Sequence, residues 1–231
     1  AGLRAANGRG YVRILEADAS KDIVVMERLG SPLAESGLTI QSQISKVTRA
    51  LQESWQADTN QQELVPGEKK ADWLENHLRH TPDKIDINFN PKMIHRALDL
   101  IENRRAAWQK QEFVLAHGDP HEYNTLAVSD EKAGAYRLVD PDGMVFEAAY
   151  DLGILLRNWI DTYRQADPAG ELRRRAIWLS EQTAVAKNAI ISWGFVEIVS
   201  TGIHLAELGY VEEAKDYLQL GEAVATRLPQ M

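Results

Sequence analysis

A carboxylate and a carboxamide lie five positions apart in residues 117–124, directly after the apolar residues 113–116. The carboxylate of Asp119 is suited to accept the proton of an attacking hydroxyl, and the carboxamide of Asn124 can offer an oxygen to Mg²⁺. A second acidic segment, residues 140–143, follows closely. Phosphoryl transfer needs such groups together, because its catalysis consists mainly of positioning the reactants and neutralising phosphate charge.

Two short apolar-biased runs, residues 124–128 and 135–139, are separated by the polar residues 129–134. This pattern predicts a β-hairpin. A hairpin would bring Asn124 at its start close to Asp140 at its end. Because Mg²⁺ prefers oxygen ligands, the sequence predicts one magnesium site held by these two side chains.

Each of these residues also has a purely structural interpretation. Asp119 stands between Gly and Pro and suits a turn, and Asn124 suits the start of a strand. Asp142 precedes Gly143, and Asp-Gly is a strong turn signal, so Asp142 is as readily structural as a second metal contact. Asp151 opens an apolar helical pattern and is a candidate N-cap.

Two histidines flank the candidate base. His117 and His121 have a spacing that zinc ligands can show, but no third ligand stands out and the Gly-Asp-Pro segment between them disfavours a helix. We therefore interpret His117 as a packing or loop-shaping residue and expect His121 near the phosphates.

These residues carry a family resemblance. The segments resemble motifs of the aminoglycoside phosphotransferases, relatives of choline kinases and protein kinases: His117-Gly-Asp119-x-His121-x-x-Asn124, Asp140-Pro-Asp-Gly and Tyr150-Asp151-Leu. The continuation is similar to the streptomycin and hydroxyurea kinase branch: Glu147-x-Ala-Tyr150-Asp151, then Leu-Leu-Arg157-Asn158. One departure is Pro120, where the family usually has Leu; it removes a backbone donor and stiffens the loop.

The resemblance implies an α+β, protein-kinase-like fold that uses ATP and Mg²⁺. Residues 1–30 would be a remnant of the amino-terminal β lobe with the hinge strand, and residues 31–231 the helical carboxyl-terminal lobe. The resemblance also implies roles for individual residues: Asp119 as catalytic base, Asn124 and Asp140 as magnesium ligands, and His117 and Asp151 as support for the catalytic loop.

The amino-terminal segment has the pattern of a hairpin. Residues 11–15 and 23–29 are strand-like and are joined by the polar residues 16–22, and Gly30 and Pro32 would break the second strand. Considered by itself, the second run is an ordinary buried strand.

In the resembled family this strand leads into the hinge that binds adenine. The resemblance implies that Met26 backs the adenine, while the carbonyl of Glu27 and the N–H of Leu29 bind it. It also implies that the chain begins midway through the amino-terminal lobe, without the Gly-rich loop and the strand lysine, because Lys21 falls in the hairpin loop. A non-catalytic nucleotide-binding or scaffold protein therefore remains an alternative.

Helical periodicity dominates the remainder. A helix with one apolar face is predicted from Ile40 to Trp55, a short one over residues 73–78, and another starting at Pro91. After Asp151 we expect four helical stretches: 151–165, 169–188, 189–208 and 210–227. Their breaks are expected near Asp167-Pro168, Trp193-Gly194 and Leu208-Gly209. Three aromatic residues could be mistaken for a base-stacking platform and are better explained as core: Trp178, Trp193 and Phe195.

Composition narrows the class of protein. The 231 residues include 26 Lys and Arg, 34 Asp and Glu and no Cys, which gives a formal net charge of −8. There is no disulfide framework, and we expect a cytoplasmic protein without a membrane span. The acidic balance argues against nucleic acid as a partner and suits a cationic small molecule, which it would attract electrostatically. The oligomeric state is not predicted.

The acceptor site is the least defined part. Glu147 and Asp161 are candidate acceptor contacts, although Asp161 lies four residues after Arg157 and is better explained as half of a helical ion pair. The sequence thus predicts an ATP-dependent phosphotransferase acting on a hydroxyl of an aminoglycoside such as streptomycin. A choline- or homoserine-type kinase is the alternative enzyme.

Overall fold

The computed structural model describes residues 1–60, 63–128, 134–164 and 167–227. Within them the helices are α1 (Gly2–Ala6), α2 (Ile40–Ser54), α3 (Glu68–His80), α4 (Pro91–Ala107), α5 (Ala148–Arg157), α6 (Pro168–Thr183), α7 (Lys187–Glu207) and α8 (Val211–Ala225). The strands are β1 (Ile14–Asp18), β2 (Ile23–Met26), β3 (Leu29–Pro32), β4 (Val65–Pro66), β5 (Val114–Ala116), β6 (Thr125–Val128), β7 (Tyr136–Leu138) and β8 (Met144–Phe146).

The chain forms two compact units, each assembled from two stretches of sequence. The first unit consists of Ala1–Gly67 and Gln109–Asp151, and the second of Glu68–Trp108 and Leu152–Met231. All strands lie in the first unit, and the second is helical. The lobe boundary at residue 30 that we expect from the family resemblance stays a prediction.

Short strands organise the first unit. One sheet has the order β3-β6-β7, and another has the order β4-β8-β5, with β5 and β8 antiparallel. The antiparallel pairing of β6 with β7 confirms the hairpin predicted around residues 124–139, although residues 129–133 of its turn lie outside the described part of the chain. The strand predicted over residues 113–116 is also present as β5.

Helix α2 packs against β5 and β7 in the first unit, as the apolar face predicted from the sequence requires. Ile44, Val47 and Leu51 of this face are buried. Its start is capped by Thr39, whose hydroxyl accepts a hydrogen bond from the Ser42 N–H at 3.3 Å. Local periodicity and capping therefore suffice to define this helix.

The amino-terminal hairpin forms with different bounds from those predicted. Strand β1 begins at Ile14 rather than Tyr11, because Tyr11 instead forms a parallel bridge with Leu138 and is buried. Part of the predicted loop, residues 16–18, belongs to the strand. The turn can be short because the carboxylate of Asp18 accepts hydrogen bonds from the Ser20 N–H at 3.0 Å and the Ser20 hydroxyl at 2.6 Å.

Two further expectations for this segment are wrong. All four residues of β2 are exposed rather than buried, since β1 and β2 form a two-stranded sheet of their own. Gly30 and Pro32 do not end the strand region; they belong to β3, which pairs with β6. Proline is tolerated there because β3 is an edge strand and its register with β6 is irregular.

Helix α7 is the centre of the second unit, where it packs against α3, α4, α6 and α8. The helix break predicted at Trp193-Gly194 is wrong, because α7 runs through both residues. Gly194 serves close packing instead: a Cβ on it would lie 2.7 Å from Leu156 Cδ1 and 2.9 Å from Leu156 Cβ. Trp193 and Phe195 are fully buried, which confirms their interpretation as core residues.

Helix α5 is shorter than predicted. It ends at Arg157 instead of continuing to residue 165, and Trp159 follows with a left-handed backbone (φ 55°).

Among the described residues, α7 is long and apolar enough to cross a membrane, but 78% of its apolar window is buried inside the protein. Such burial is typical of a core helix, so α7 is only weak support for a membrane span.

Candidate active site

Strand pairing holds two loops side by side in the first unit. Ala116 at the end of β5 pairs with Met144 at the start of β8. The loop that follows β5, residues 117–124, therefore begins where the loop preceding β8, residues 140–143, ends. The Asp142 N–H donates to the His117 carbonyl at 2.8 Å and joins the two loops directly.

The other ends of the same loops are joined by the β6–β7 hairpin. The Val139 N–H donates to the carbonyl of Asn124 at 2.9 Å. Asn124 and Asp140 therefore lie on adjoining segments, as the hairpin predicted from the sequence requires. Both loops are thus fixed at both ends by backbone hydrogen bonds.

Asp151 supports the loop of residues 117–124 through hydrogen bonds to its backbone. Its side chain is fully buried and accepts hydrogen bonds from the backbone N–H groups of His117 (2.9 Å) and Gly118 (3.0 Å). Helix α5 already begins at Ala148, so Asp151 lies in its first turn and is not the N-cap that the sequence suggested. Burial raises the pKa of Asp151 from 3.8 to about 6, and the backbone donors counteract part of this rise.

A tryptophan that the sequence did not single out for this site completes the support. The indole Nε1 of Trp55, just beyond α2, lies 3.5 Å from Asp151 Oδ2. Sequence reasoning assigned Trp55 only to the apolar face of its helix. No local signal could have revealed the contact, because the two residues are 96 positions apart.

His117 is the second buried support residue. Its Nε2 lies 2.9 Å from the Val139 carbonyl and its Nδ1 accepts the Asp119 N–H at 3.2 Å. This arrangement defines a neutral ring with the proton on Nε2. Burial lowers the pKa of His117 from 6.5 to about 4, and hydrogen bonding to Val139 opposes the shift. The ring therefore stays uncharged at neutral pH and ties the two loops together.

Asp119 differs from its supports because its carboxylate reaches solvent. The side chain is 46% exposed. Its backbone is held on both sides: the N–H donates to His117, and the carbonyl accepts from Asn124 Nδ2 at 3.2 Å. The loop thus presents a carboxylate at a fixed backbone position, which is what a group that accepts a proton from a bound substrate requires.

Asn124 and Asp140 fit a magnesium site. Because Asn124 Nδ2 donates to the Asp119 carbonyl, the oxygen of the same carboxamide is directed away from that bond. Asp140 is exposed and has a left-handed backbone (φ 57°), a conformation that Asp and Asn tolerate better than most residues. Two oxygen donors suit Mg²⁺, which completes its coordination with phosphate oxygens and water.

Zinc has no comparable donor set. Among residues 1–60, 63–128, 134–164 and 167–227, no group of three or more His, Cys, Asp or Glu side chains could hold a metal ion. Both ring nitrogens of His117 are already engaged within the protein.

Asp142 packs against the buried turn at Gly118. The φ of Gly118 is 95°, and a Cβ added to it would lie 2.4 Å from Asp142 Oδ2.

The candidate adenine-binding residues lie at the end of β2 and the start of β3. Met26 ends β2 and is 43% exposed, and Leu29 begins β3, where it pairs with Val128 of β6. The Glu27 carboxylate accepts the Arg13 N–H at 2.8 Å, and the Glu27 N–H donates to the Arg13 carbonyl at 2.9 Å. Only β3, which begins at Leu29, pairs with β6, the strand that directly follows Asn124, whereas Met26 lies in the separate β1–β2 sheet.

The two candidate acceptor contacts have different surroundings. Glu147 is only 8% exposed and its carbonyl accepts the Tyr150 N–H at 3.0 Å, at the start of α5. Asp161, in the second unit, is exposed and lies 3.2 Å from Arg164. The helical ion pair expected between Arg157 and Asp161 is therefore wrong.

The reason for this error is the early end of α5. Arg157 is the last residue of the helix, so a residue four positions later is no longer on the same face. Arg157 instead contacts Glu197 of α7 at 3.1 Å, inside the second unit. Arg157 thus pairs with a residue of a helix distant in sequence and not with the nearby Asp161.

Solved structures with a similar fold are small-molecule kinases. A thermostable mutant of aminoglycoside phosphotransferase APH(4)-Ia, in complex with AMP-PNP and hygromycin B, has a TM-score of 0.66 and 13% identity, over 99% of this chain and 81% of that one. Spectinomycin phosphotransferase APH(9)-Ia, bound to AMP, has a TM-score of 0.58 and 16% identity, over 99% and 82%.

Choline kinase LicA from Streptococcus pneumoniae has a TM-score of 0.60 and 13% identity, over 98% of this chain and 78% of that one. These similarities confirm the protein-kinase-like α+β fold. A search of curated protein sequences gives no match.

Sequence comparison identifies the family. The profile described as "Aminoglycoside/hydroxyurea antibiotic resistance kinase" matches residues 1–209. Because this match covers most of the 231 residues, the chain belongs to the aminoglycoside/hydroxyurea antibiotic resistance kinase family.

Proposed function

We propose that this chain transfers the γ-phosphate of ATP to a hydroxyl group of a small cationic molecule, namely an aminoglycoside such as streptomycin. Family membership supports a phosphotransferase of this type. The observation that carries the assignment of the reacting groups is the double connection between the two loops, through His117 with Asp142 and through Asn124 with Val139. It supports the proposal because Asp119, Asn124 and Asp140 lie on these two connected segments.

In this mechanism Asp119 is the general base. Its carboxylate accepts the proton of the acceptor hydroxyl while the acceptor oxygen forms a bond to the γ-phosphorus. The bond between the γ-phosphorus and the oxygen that bridges it to the β-phosphate breaks, and ADP leaves. The hydrogen bonds of His117 and Asn124 hold the Asp119 main chain, from which the carboxylate projects.

The carboxamide oxygen of Asn124 and the carboxylate of Asp140 would hold Mg²⁺. When bound, the ion neutralises charge on the phosphate oxygens. Asp151 contributes indirectly, because it orients the backbone at residues 117–118 from which the loop leaves β5. Met26, Glu27 and Leu29 would bind adenine, chiefly through main-chain groups.

The acceptor is proposed to be cationic because the chain carries a formal net charge of −8. An acidic protein attracts a molecule with several ammonium groups and raises its local concentration. Glu147 and Asp161 are the proposed acceptor contacts; the carboxylate of Asp161 is exposed, whereas Glu147 is buried. The protein would act in the cytoplasm, where ATP is available.

A phosphate-transfer assay with isotopically labelled ATP tests this proposal. The acceptor panel contains streptomycin, other aminoglycosides, hydroxyurea, choline and homoserine, so that it separates the aminoglycoside assignment from a choline- or homoserine-type kinase. We expect phosphorylation of streptomycin. If choline or homoserine becomes labelled and no aminoglycoside does, the proposed acceptor class is wrong but the proposed transfer reaction stands.

The base is tested by Asp119→Asn, which keeps the shape of the side chain. We expect kcat to fall by roughly 10²- to 10⁴-fold, the usual contribution of a general base, with unchanged thermal stability. Glu112→Gln, which removes an exposed carboxylate outside both loops, is the matched control and should retain full turnover. Wild-type turnover in Asp119→Asn would refute Asp119 as the base.

A further inference from the structure

His121 lies two residues beyond the candidate base and faces it. Its Nε2 is 3.5 Å from Asp119 Oδ2, while its Nδ1 accepts the Tyr123 N–H at 3.2 Å. Its carbonyl accepts hydrogen bonds from the Asn124 N–H at 3.0 Å and the Thr125 hydroxyl at 2.9 Å. The residue is therefore fixed by its main chain and by one ring nitrogen, and the other nitrogen lies within 3.5 Å of the Asp119 carboxylate.

The hydrogen bond from Tyr123 determines where the ring proton lies. A ring nitrogen that accepts a hydrogen bond carries no proton, so the proton of the neutral imidazole is on Nε2. Nε2 is consequently a donor, and the group it faces is Asp119 Oδ2. The contact of 3.5 Å is long for a hydrogen bond, as is common for catalytic contacts before a substrate is bound.

The side chain of Asp119 is more open to solvent than that of His121. The hydrogen bonds from His117 and Asn124 hold the Asp119 main chain. The Asp119 side chain is 46% exposed, whereas the ring of His121 is 26% exposed and better enclosed. A half-exposed carboxylate can rotate about two side-chain bonds, and a donor at one oxygen restricts this rotation.

We propose that His121 is a positioning residue for the base: its Nε2–H holds Asp119 Oδ2 and thereby sets the plane of the carboxylate toward the acceptor hydroxyl. This inference rests on the proposed function. The acceptor proton goes to Asp119, the new bond joins the acceptor oxygen to the γ-phosphorus, and ADP leaves with the electron pair of the broken bond. His121 gains and loses no proton in the step.

A role in loop packing is the alternative to exclude. The ring of His121 also lies 6.2 Å from the ring of Tyr123, centre to centre, and its Nδ1 closes a local turn with the Tyr123 N–H. If these contacts were the whole function of His121, a side chain that replaces Nδ1 would suffice. If the contact with Asp119 matters, a side chain that replaces Nε2 is needed.

Two substitutions separate the roles. In His121→Asn the amide oxygen can occupy the position of Nδ1 and keep the Tyr123 hydrogen bond, but nothing reaches Asp119. In His121→Gln the amide nitrogen can occupy the position of Nε2 and donate to Asp119. We expect kcat of the Asn variant to fall by about 10- to 100-fold, which corresponds to one hydrogen bond to a charged group, with unchanged KM for ATP. The Gln variant should recover most of this loss.

Either of two kinetic results would overturn the inference: full activity in His121→Asn, or equal losses in both variants. A rise in KM or a loss of stability without a change in kcat would likewise indicate packing alone. These outcomes leave the proposed function intact, because they concern His121 and not the transfer reaction. Retained turnover in Asp119→Asn would instead refute the base and leave the phosphotransferase assignment to the acceptor panel.

A measurement without turnover keeps the inference testable if no acceptor is found. Long-range ¹H–¹⁵N spectra at about pH 8, where an ordinary imidazole is neutral, report which ring nitrogen carries the proton. The His121 signals are assigned by their absence in His121→Gln. We expect the Nε2–H form, and an Nε2 shift that moves in Asp119→Ala while Nδ1 does not. An Nδ1–H ring, or an Nε2 shift insensitive to Asp119, would contradict the proposed contact.

Discussion

His117 and Asp151 are completely enclosed in the first unit, whereas Asp119 and Asp140, in the loops that this pair supports, reach solvent. The enclosed pair forms hydrogen bonds with backbone groups at 2.9–3.2 Å. The main chain of Asp119 is held by hydrogen bonds, and the carboxylates of Asp119 and Asp140 reach solvent. Buried supporting residues and solvent-accessible candidate site residues thus lie in the same two loops and the helix that follows them.

The comparison also shows what a perturbed pKa means at this site. Burial raises the pKa of Asp151 to about 6 and lowers that of His117 to about 4, so both shifts favour the neutral form. Strongly shifted pKa values are often used to locate reacting groups. In this loop pair they identify the residues that hold the loops.

Asp140→Asn should produce the largest effect among tests of this division. Asn retains the shape and tolerates the left-handed backbone at this position, but it removes the negative charge from the proposed metal ligand. We expect turnover at limiting Mg²⁺ to fall at least roughly 100-fold, since even indirect partners of metal ligands contribute 10- to 100-fold. A magnesium titration of activity measures this effect.

The same variant should leave folding unchanged, because an exposed residue contributes within about 0.5 kcal/mol to stability. Thermal denaturation without nucleotide measures this quantity. A clear loss of stability would assign Asp140 to the supporting residues and weaken the distinction between the two pairs.

Gly118→Ala tests the supporting region by a backbone change. Gly118 has a φ of 95°, and an added Cβ would lie 2.4–2.7 Å from the Asp142 side chain. We expect the free energy of unfolding to fall by roughly 2 kcal/mol, because backbone strain and steric conflict add. Gly37→Ala is the matched control: its φ is 68°, but no atom lies within 4 Å, so only the strain of about 1 kcal/mol applies.

Urea denaturation of both variants measures the difference. Equal losses in Gly118→Ala and Gly37→Ala would show that Asp142 moves aside without cost. The two loops would then be less rigidly connected than their hydrogen bonds indicate.

The last expected effect concerns the pH dependence of stability. The folded-state pKa of His117 is below 6.5, so its contribution to stability is present above pH 6.5 and is lost as the pH falls toward about 4. Asp151 acts in the opposite direction: its raised pKa lets the folded protein bind a proton first, so stability rises as the pH falls from about 6 toward 3.8.

Asp151→Asn should therefore expose the acid sensitivity of His117. Its free energy of unfolding should decrease more steeply on acidification than that of the wild type, by up to about 1.4 kcal/mol per pH unit. Urea denaturation between about pH 4 and 6.5 measures the slopes, with Asp140→Asn as the exposed-carboxylate control. Parallel curves for Asp151→Asn and the wild type would show that Asp151 does not titrate in this range.

Much of the fold was predictable because its signals are local. Two apolar-biased runs separated by a polar segment predicted the β6–β7 hairpin, and apolar spacing predicted α2 and the helix starting at Pro91. The errors occurred where distant groups decide. Glycine generally disfavours the interior of a helix, yet Gly194 lies within α7. The close approach of Leu156 requires a residue without a side chain at this position.

The sequence by itself determined which groups can do chemistry and in what order they occur: Asp119, Asn124 and Asp140, with Asp151 downstream. These are local patterns of residue type and spacing. Only the tertiary structure decided that Asp151 holds the backbone at residues 117–118 and contacts Trp55, and that His121 Nε2 lies 3.5 Å from Asp119 Oδ2. Hydrogen bonds of this kind depend on distances between segments far apart in the chain and on side-chain direction, and neither is encoded in residue spacing.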